Sequence, residues 1–562
     1  MSTTYWQVTR PAVRRAMALQ DFNPASATYG CCDRSFWQYR TLSSFPAGTM
    51  QQLALPFAVL FQTAFPGNDW HQDGEMLARA RAAMLFWARS QHATGSVDEW
   101  YRNEHSYCAT AFTTFGIAEA WLRLQIELSP SDRDEIRRAI SRAALWLSER
   151  FNDDVMNQNL AASAALWNAH ELTGDTRFKT AYERTWRRTL ANQDEEGWFV
   201  EYGGADLGYS LLALDLLAAL DKGGSPDAVP AAASLGRFVA AFALGGSDLA
   251  GRLGSRGTEH SFPFGAEAFA AVLPECRAVA AHLREAVDDE AVSDPRTVDD
   301  RYLAYFYLPS FVLASSLGDR PLEAGASAGS TAFERSGFRV WRKPGGDVVC
   351  STRRNAAFNL YAPSRPVHRN LGYWIETTDG RRFASCAWSS HAGVAQDRSN
   401  GVVVDGSFVR VDDSMPLVRH EVAFRAATRW LFQWPTIAEP FHRLLRQRKI
   451  GRNVAGPFGF TRELTWRDDG LLVTDVVRAR ERRPALRTVM PAADIEVHSP
   501  SARQSGSAPN HAIVVPRSIA EAWAAELTRS GQLVLITAYE VDRDGRLRFA
   551  SIREQHGTGH LG

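Results

Sequence analysis

The chain is poor in several features that would have decided its class at once. Six cysteines in 562 residues, Cys31, Cys32, Cys108, Cys276, Cys350 and Cys386, are scattered. That is neither a disulfide framework nor a CxxC metal spacing. No apolar run approaches the ~18 residues that cross a bilayer. The opening MSTTYWQVTRPAVRRAMALQ lacks the apolar core of a signal peptide, so the simplest reading is cytoplasmic; a trimmed leader would look the same. There is no charge imbalance either, with Lys+Arg 63 against Asp+Glu 63. Nothing global draws the chain to nucleic acid or an anionic membrane, so a charged ligand has to be met locally.

What is present is the make-up of large cores. Hydrophobic residues are 45%, charged residues 22%, and there are 17 Trp. Wholesale disorder is excluded, and the length fits two to four domains at about 150 residues each. Trp count alone fits carbohydrate platforms, since sugar C–H faces pack on indole, but most Trp in any chain is core.

The first half has helical periodicity. Leu77, Ala80, Met84 and Trp87 recur at spacings of 3, 4 and 3, and Ile136, Ile140, Ala143 and Leu147 at 4, 3 and 4 after a Ser-Asp start. Similar stretches cover 49–65, 106–128, 157–173, 175–192, 207–222, 228–244, 264–286 and 298–317, joined by breakers such as Gly174-Asp175. The pattern predicts stacked helical hairpins, some buried on both sides. The character changes at the Gly/Ala/Ser-rich stretch 318–331. FRVWRKP, GDVVCSTRR, YWIETTDGRRFAS, GVVVDGSFVRVDD, LLVTDVVRARE and LVLITAYEVDRDGRLRFASI then read as strands split by Gly/Asp turns. Helices first and strands second predict two domains, 1–325 helical and 326–562 an antiparallel sandwich.

Four loop-to-helix junctions concentrate polar groups: Arg102 to Tyr107, Asn157 to Asn159, Glu201 to Tyr209, and Arg256 to His260. In a ring of hairpins such junctions at one end surround a common cleft. Each alone is explained by capping and turn chemistry; four together point to a site. The second half adds His368, Arg369 and His391.

With these residues in order, the chain resembles the heparinase II/III-like polysaccharide lyases. The resemblance rests on Asn157-Gln158-Asn159, on Tyr209 in GWFVEYGGADLGY 52 residues after Asn157, and on His368 followed by GYWIETTDGRRFAS. It implies an incomplete (α/α) toroid followed by an antiparallel β-sandwich that brings a His to the cleft. It further implies Asn157 and Tyr209 as catalytic, His368 as the histidine of the sandwich, and His105 as a histidine from an earlier toroid helix. Gln158, Asn159, Glu104, Tyr202, Arg369 and His260 are the expected substrate contacts. One departure stands out. Many members carry His directly after the Asn, where this chain has Gln158. Base work then falls to Tyr209, His105 or His368. The alternative register gives Asn159 the Asn role.

The implied reaction is β-elimination on a uronic-acid glycan. The C5 proton is weakly acidic because the neighbouring carboxylate is already an anion, so an amide or cation must stabilise the enolate-like intermediate. Tyr, with an ordinary pKa near 10, serves as base only beside cations, and as a phenol it donates to the leaving O4. This chemistry requires no metal or organic cofactor. The expected partner is an acidic polysaccharide or oligosaccharide, with imported oligosaccharides or a polymer being made inside the cell as sources. Trp100, Trp198 and Trp374 are possible platforms. A glycoside hydrolase using Glu104, Glu201, Asp206 or Glu259, an epimerase sharing the C5 deprotonation, and a glycan-binding or assembly protein on a lyase-like scaffold remain as alternatives.

Overall fold

A computed structural model describes residues 4–555 apart from 40–41, 226, 245–248, 319–321, 323–328, 344, 363–364, 390–393, 412–416, 435–436, 439, 442–443, 445–453, 481–483 and 493–512. The expected domain boundary at 325/326, and His391, lie outside the described residues.

Helices fill the chain from Thr4 to Ser316, and they pair as the breakers require. Met156–Thr173 ends on Gly174 in the left-handed region, and Asp175 caps Thr176–Leu190 by accepting from Arg177 N–H. The first of the pair is buried along most of its faces. The second buries only the stripe Phe178, Ala181, Tyr182, Thr185, Trp186 and Thr189. That is the inner and outer helix of a ring. Leu207–Lys222 matches its expected limits, whereas 264–286 divides into Phe264–Phe269 and Pro274–Asp288. The stretch 298–317 carries a five-residue π-helical turn, Leu303–Tyr307, between the short Asp300–Tyr302 and Leu308–Ser316 helices.

The second half is antiparallel. Strands β1 (Thr331–Phe333), β2 (Phe338–Lys343), β3 (Gly346–Ser351), β4 (Ala357–Ala362) and β5 (Arg365–Asn370) form one sheet in sequence order. Strands β6 (Tyr373–Thr377), β7 (Arg382–Ala384), β8 (Val394–Arg398), β9 (Gly401–Val411), β10 (Ala455–Arg467), β11 (Gly470–Ala479), β12 (Leu486–Pro491), β13 (Gln532–Val541) and β14 (Leu547–Glu554) form the other. Its order is β12-β6-β7-β9-β10-β11-β13-β14, with β8 also on β9.

The small sheet is packed on both faces. Phe358 and Leu360 meet Val404, Leu464, Val473 and Tyr539 of the large sheet. On the other side Phe338, Val340, Ala357 and Tyr361 join the helical core, where Phe338 meets Phe242 at 4.9 Å between ring centroids. The same face of the large sheet continues past a fully buried Arg462–Asp475 ion pair (2.7 Å) to a second apolar cluster. There Trp523 and Leu527 of helix Arg517–Ser530 cover it. Arg462 also donates to the Asn370 side chain at 2.9 Å, which satisfies a charge that burial would otherwise make costly.

Candidate active site

The site begins with one carboxylate. Asp206 caps the Leu207–Lys222 helix, its Oδ1 accepting from Tyr209 N–H at 3.2 Å. Oδ1 also accepts from the Thr258 hydroxyl, and Oδ2 from the N–H groups of Arg256 (3.0 Å) and Thr258 (3.3 Å). Asp206 therefore fastens the Arg256–His260 loop across the start of the Tyr209 helix. The crossing is close: a Cβ on Gly208 would lie 2.3 Å from Thr258 Oγ1 and 2.9 Å from His260 N. Burial pushes the Asp206 carboxyl up despite its donors. This is the turn-stabilising role that capping chemistry predicts for it.

The loop before the helix is equally constrained. Tyr202 adopts φ +55°, and the Arg256 guanidinium lies over its ring at 4.4 Å. Glu201 accepts from the backbone and side-chain N–H groups of Asn157 at 2.8 and 2.7 Å. Its own carboxyl is pushed well up by burial. Trp388 from the second half lies against this loop, since a Cβ on Gly204 would be 2.4 Å from its ring.

Tyr209 and His260 face one another with ring centroids 5.7 Å apart. Burial raises the Tyr209 phenol well above its ordinary value, with Tyr202 and Tyr302 adding to the rise and Arg256 opposing it. Burial alone lowers His260 to about 3, so its imidazole is neutral at physiological pH. A hydrogen-bond chain runs beside it. Ser293 donates its hydroxyl proton to the Glu259 carbonyl at 2.8 Å. The Tyr307 hydroxyl lies 2.8 Å from Ser293 Oγ and 3.2 Å from His260 Nδ1. If Tyr307 donates to Ser293, Nδ1 carries the proton and Nε2 presents a lone pair. His260 Nε2 and Arg256 Nε are both buried and have no hydrogen-bond partner among the described residues. The π-helical turn places Tyr302 5.5 Å from His260 on one side and Tyr305 2.9 Å from Cys108 Sγ on the other.

The second half reaches this group through arginines. Arg369 Nη2 meets Glu259 Oε1 at 2.9 Å, and Arg252 holds the other oxygen at 2.8 Å. Arg354 donates to the Gly254 carbonyl at 2.6 Å. The expected histidine goes elsewhere. In the β4–β5 register His368 stands opposite Leu360 and Arg369 opposite Asn359. Cross-strand partners share a face. His368 accordingly lies between the sheets, 5.9 Å from Tyr539 and 6.0 Å from Phe549, while Arg369 points to the helices.

The structure thus gathers Asn157, Tyr202, Tyr209, His260 and Arg369. It places His105 in a neighbouring group, where Nδ1 bonds Ser96 Oγ at 2.7 Å and the ring lies tilted against His92 at 4.1 Å between centroids. Glu104 closes a turn there, accepting from Glu99 and Trp100 N–H at 2.9 and 2.6 Å. Burial and Glu99 push its carboxyl up to about 8. Asn159 is fully buried and holds Asn152, bonding its carbonyl at 2.7 Å and its N–H at 3.0 Å, so it serves the loop rather than a ligand. Gln158 accepts from Asn152 Nδ2 at 2.8 Å. Among the platform candidates Trp198 is core, Trp374 is partly buried, and Trp100 is exposed with Arg301 over one face at 3.7 Å. Sequence reasoning gave no separate role to Arg256 or Tyr302. The signals were a guanidinium inside a polar junction and the aromatic run 302–307.

No family model matches the chain, and no curated protein matches it in sequence. Its fold is similar to that of a chondroitin AC lyase from Streptomyces coelicolor A3 solved with chondroitin sulphate. The TM-score is 0.51 at 11% identity, covering 87% of this chain and 68% of that one. Heparinase III gives 0.45 at 10% identity over 79% of this chain and 64% of that chain. A heparan sulfate lyase mutant from Pedobacter heparinus gives 0.41 at 11% over 84% and 69%. The first likeness shows the fold: a helical toroid followed by an antiparallel β domain, as in polysaccharide lyases. The two lower scores add no weight.

Proposed function

We propose that this protein is a polysaccharide lyase that cleaves a uronic-acid-containing glycan by β-elimination. The observation that carries the reading is a pair of buried polar atoms without hydrogen-bond partners among the described residues: His260 Nε2, on the ring facing Tyr209 and a lone pair in the Nδ1–H tautomer, and Arg256 Nε, a cationic donor on the guanidinium over the Tyr202 ring. Buried polar atoms are normally satisfied, so two without partners on the one Arg256–His260 loop ask for a ligand that accepts from one and donates to the other.

A uronate offers that combination. Its C6 carboxylate would take the guanidinium of Arg256, which spreads the charge that builds as the C5 proton leaves. Asn157 is tied to Glu201, so its amide supports the site by holding that carboxyl. His260 Nε2 is the group placed to receive the C5 proton; burial alone makes it a weak base, and the carboxylate of a bound uronate beside it would raise its basicity. Tyr209, kept a phenol by burial, holds the proton that the departing O4 needs. These roles take base work away from His105 and His368, which the structure holds in other packing environments. They also separate acid from base, which a single Tyr acting twice would not. Arg369 contributes by fixing Glu259, the residue preceding His260.

A hydrolase needs two carboxylates facing across a gap with room for water or a nucleophile. Here Asp206 is held by four donors, Glu259 by two arginines, Glu201 by Asn157 and Glu104 by two backbone N–H groups. That favours elimination. The test is mass spectrometry of products from a panel of uronic-acid polysaccharides and oligomers. Elimination gives fragments whose masses sum to the substrate, one of them unsaturated. Fragments that sum to the substrate plus one water would refute the proposal.

A further inference from the structure

Between β9 and β10 the chain makes an excursion whose described residues, 417–434, 437–438, 440–441, 444 and 454, belong to neither sheet. Its helix Val418–Trp430 buries only Thr428. A small aromatic core, Phe424, Phe432 and Phe441, ties it to Tyr101 of the helical half at 5.0 Å from Phe424. Asn103 Nδ2 donates to the Thr428 carbonyl at 2.9 Å. The excursion is therefore anchored at the rim of the toroid, beside Trp100 and Arg301.

Its outer surface is unlike the rest of the protein. Nineteen large hydrophobic side chains are exposed among the described residues, and nine fall within 417–454. They include Val418 and Val422, one helical turn apart, and Trp430, Leu431, Trp434 and Ile437 at the helix end and in the turns that follow. Trp430 is 65% exposed and Val418 75%. The described residues of this stretch carry Arg419, Arg425 and Arg429 against Glu421, a net +2 in a chain whose total is zero. Arg425 and Arg429 share the helical stripe of Val418 and Val422.

We infer that this excursion docks the protein on an anionic lipid surface. Aliphatic side chains, two Trp and interspersed Arg are the components of an interfacial element: the aliphatic groups enter the acyl boundary, indoles lie at headgroup level, and guanidinium groups meet phosphate. A second copy fits poorly, because a two-fold contact would set the positive patch against itself. A hydrated acidic glycan would take the Arg and Trp but leaves Val418, Val422, Leu431 and Ile437 without purpose. Because the element stands on the rim, docking would hold the mouth of the cleft near the membrane.

The experiment is co-flotation of the full chain with phosphatidylcholine vesicles, with and without phosphatidylglycerol, at low and high salt. Binding should require phosphatidylglycerol and weaken as salt rises. The Trp430→Ser/Trp434→Ser double variant should bind at least about tenfold more weakly, and Arg425→Glu/Arg429→Glu should lose the phosphatidylglycerol preference. All four residues are exposed, and unchanged circular dichroism and Tm would show that the variants fold. Equal flotation of wild type and both variants, or none with phosphatidylglycerol, overturns the inference. A dimer in size-exclusion chromatography that the Trp variant abolishes would reassign the surface to self-association. Vesicle-independent retention on an immobilised acidic glycan that the Trp variant abolishes would reassign it to polymer. None of these outcomes depends on elimination activity.

Discussion

Two histidines stand in neighbouring polar groups of the toroid, and they differ in what surrounds them. His105 bonds Ser96 and lies tilted against His92, which in turn meets Asp98 at 2.8 Å. His92 and two backbone N–H groups hold the Asp98 carboxyl below its ordinary range. His260 is ringed by Tyr209, Phe262, Tyr302, Phe306 and Tyr307, and burial alone keeps it neutral. The first group pairs His105 Nδ1 with Ser96 and His92 with Asp98, two polar partners. The second sets His260 among aromatic rings, one of them the phenol of Tyr209. A polar junction at a helix start is therefore a necessary sign of a site but an insufficient one; the partners decide.

The largest effect should separate these two histidines. His260→Gln removes the open lone pair and should lower kcat by at least about 10²-fold, the usual scale of a lost acid–base group. His105→Gln should leave kcat within about threefold and lower Tm instead. The reverse result in initial-rate assays would exchange the two groups' roles. A smaller effect should distinguish neighbours on β5. Arg369→Gln leaves Glu259 with one arginine and should reduce kcat/KM by about tenfold, or ~1.4 kcal/mol. His368→Gln, between the sheets, should leave kcat/KM unchanged and cost stability in denaturant titration.

These neighbours also show what the sequence could and could not tell. Strand β5 was not among the runs read as strands, and which parity of its residues faces the helices depends on the pairing of His368 with Leu360, which no local pattern reveals. The helical half was legible because Asp, Ser and Gly punctuate it, and Leu207–Lys222 falls on its expected limits. Strand β10 escaped detection because Gly456, Pro457 and Gly459 interrupt its β-branched and aromatic residues. The helices Val418–Trp430 and Arg517–Ser530 were hidden inside a region read as strands. In the candidate site, Asn157 and Tyr209 came from the family resemblance, which their order and spacing carried. Arg256 was not, since its value lies in an unpaired Nε that only packing creates.

A further predicted effect is on stability against pH. His260 is depressed to about 3 in the folded chain but titrates near 6.5 when unfolded. The unfolded state therefore binds the extra proton first, and this contribution is lost as pH falls from ~6.5 toward 3. Glu104 is raised to about 8, so its contribution is present at low pH and is lost as pH rises from ~4.5 through 8. Thermal unfolding scans of His260→Gln and Glu104→Gln should flatten the acid and alkaline limbs respectively. Unchanged limbs would show that neither group is shifted.

The most direct test of the central claim is ultraviolet absorbance during incubation with uronic-acid polysaccharides, comparing wild type with Tyr209→Phe. Elimination creates a conjugated C4=C5 bond that absorbs. The phenol's oxygen is predicted to carry the proton to O4, so absorbance should rise with wild type and fall by at least about 10²-fold in rate with Tyr209→Phe, glycan affinity being retained. A Tyr209→Phe variant as fast as wild type, or new reducing ends with no absorbance, would contradict the account.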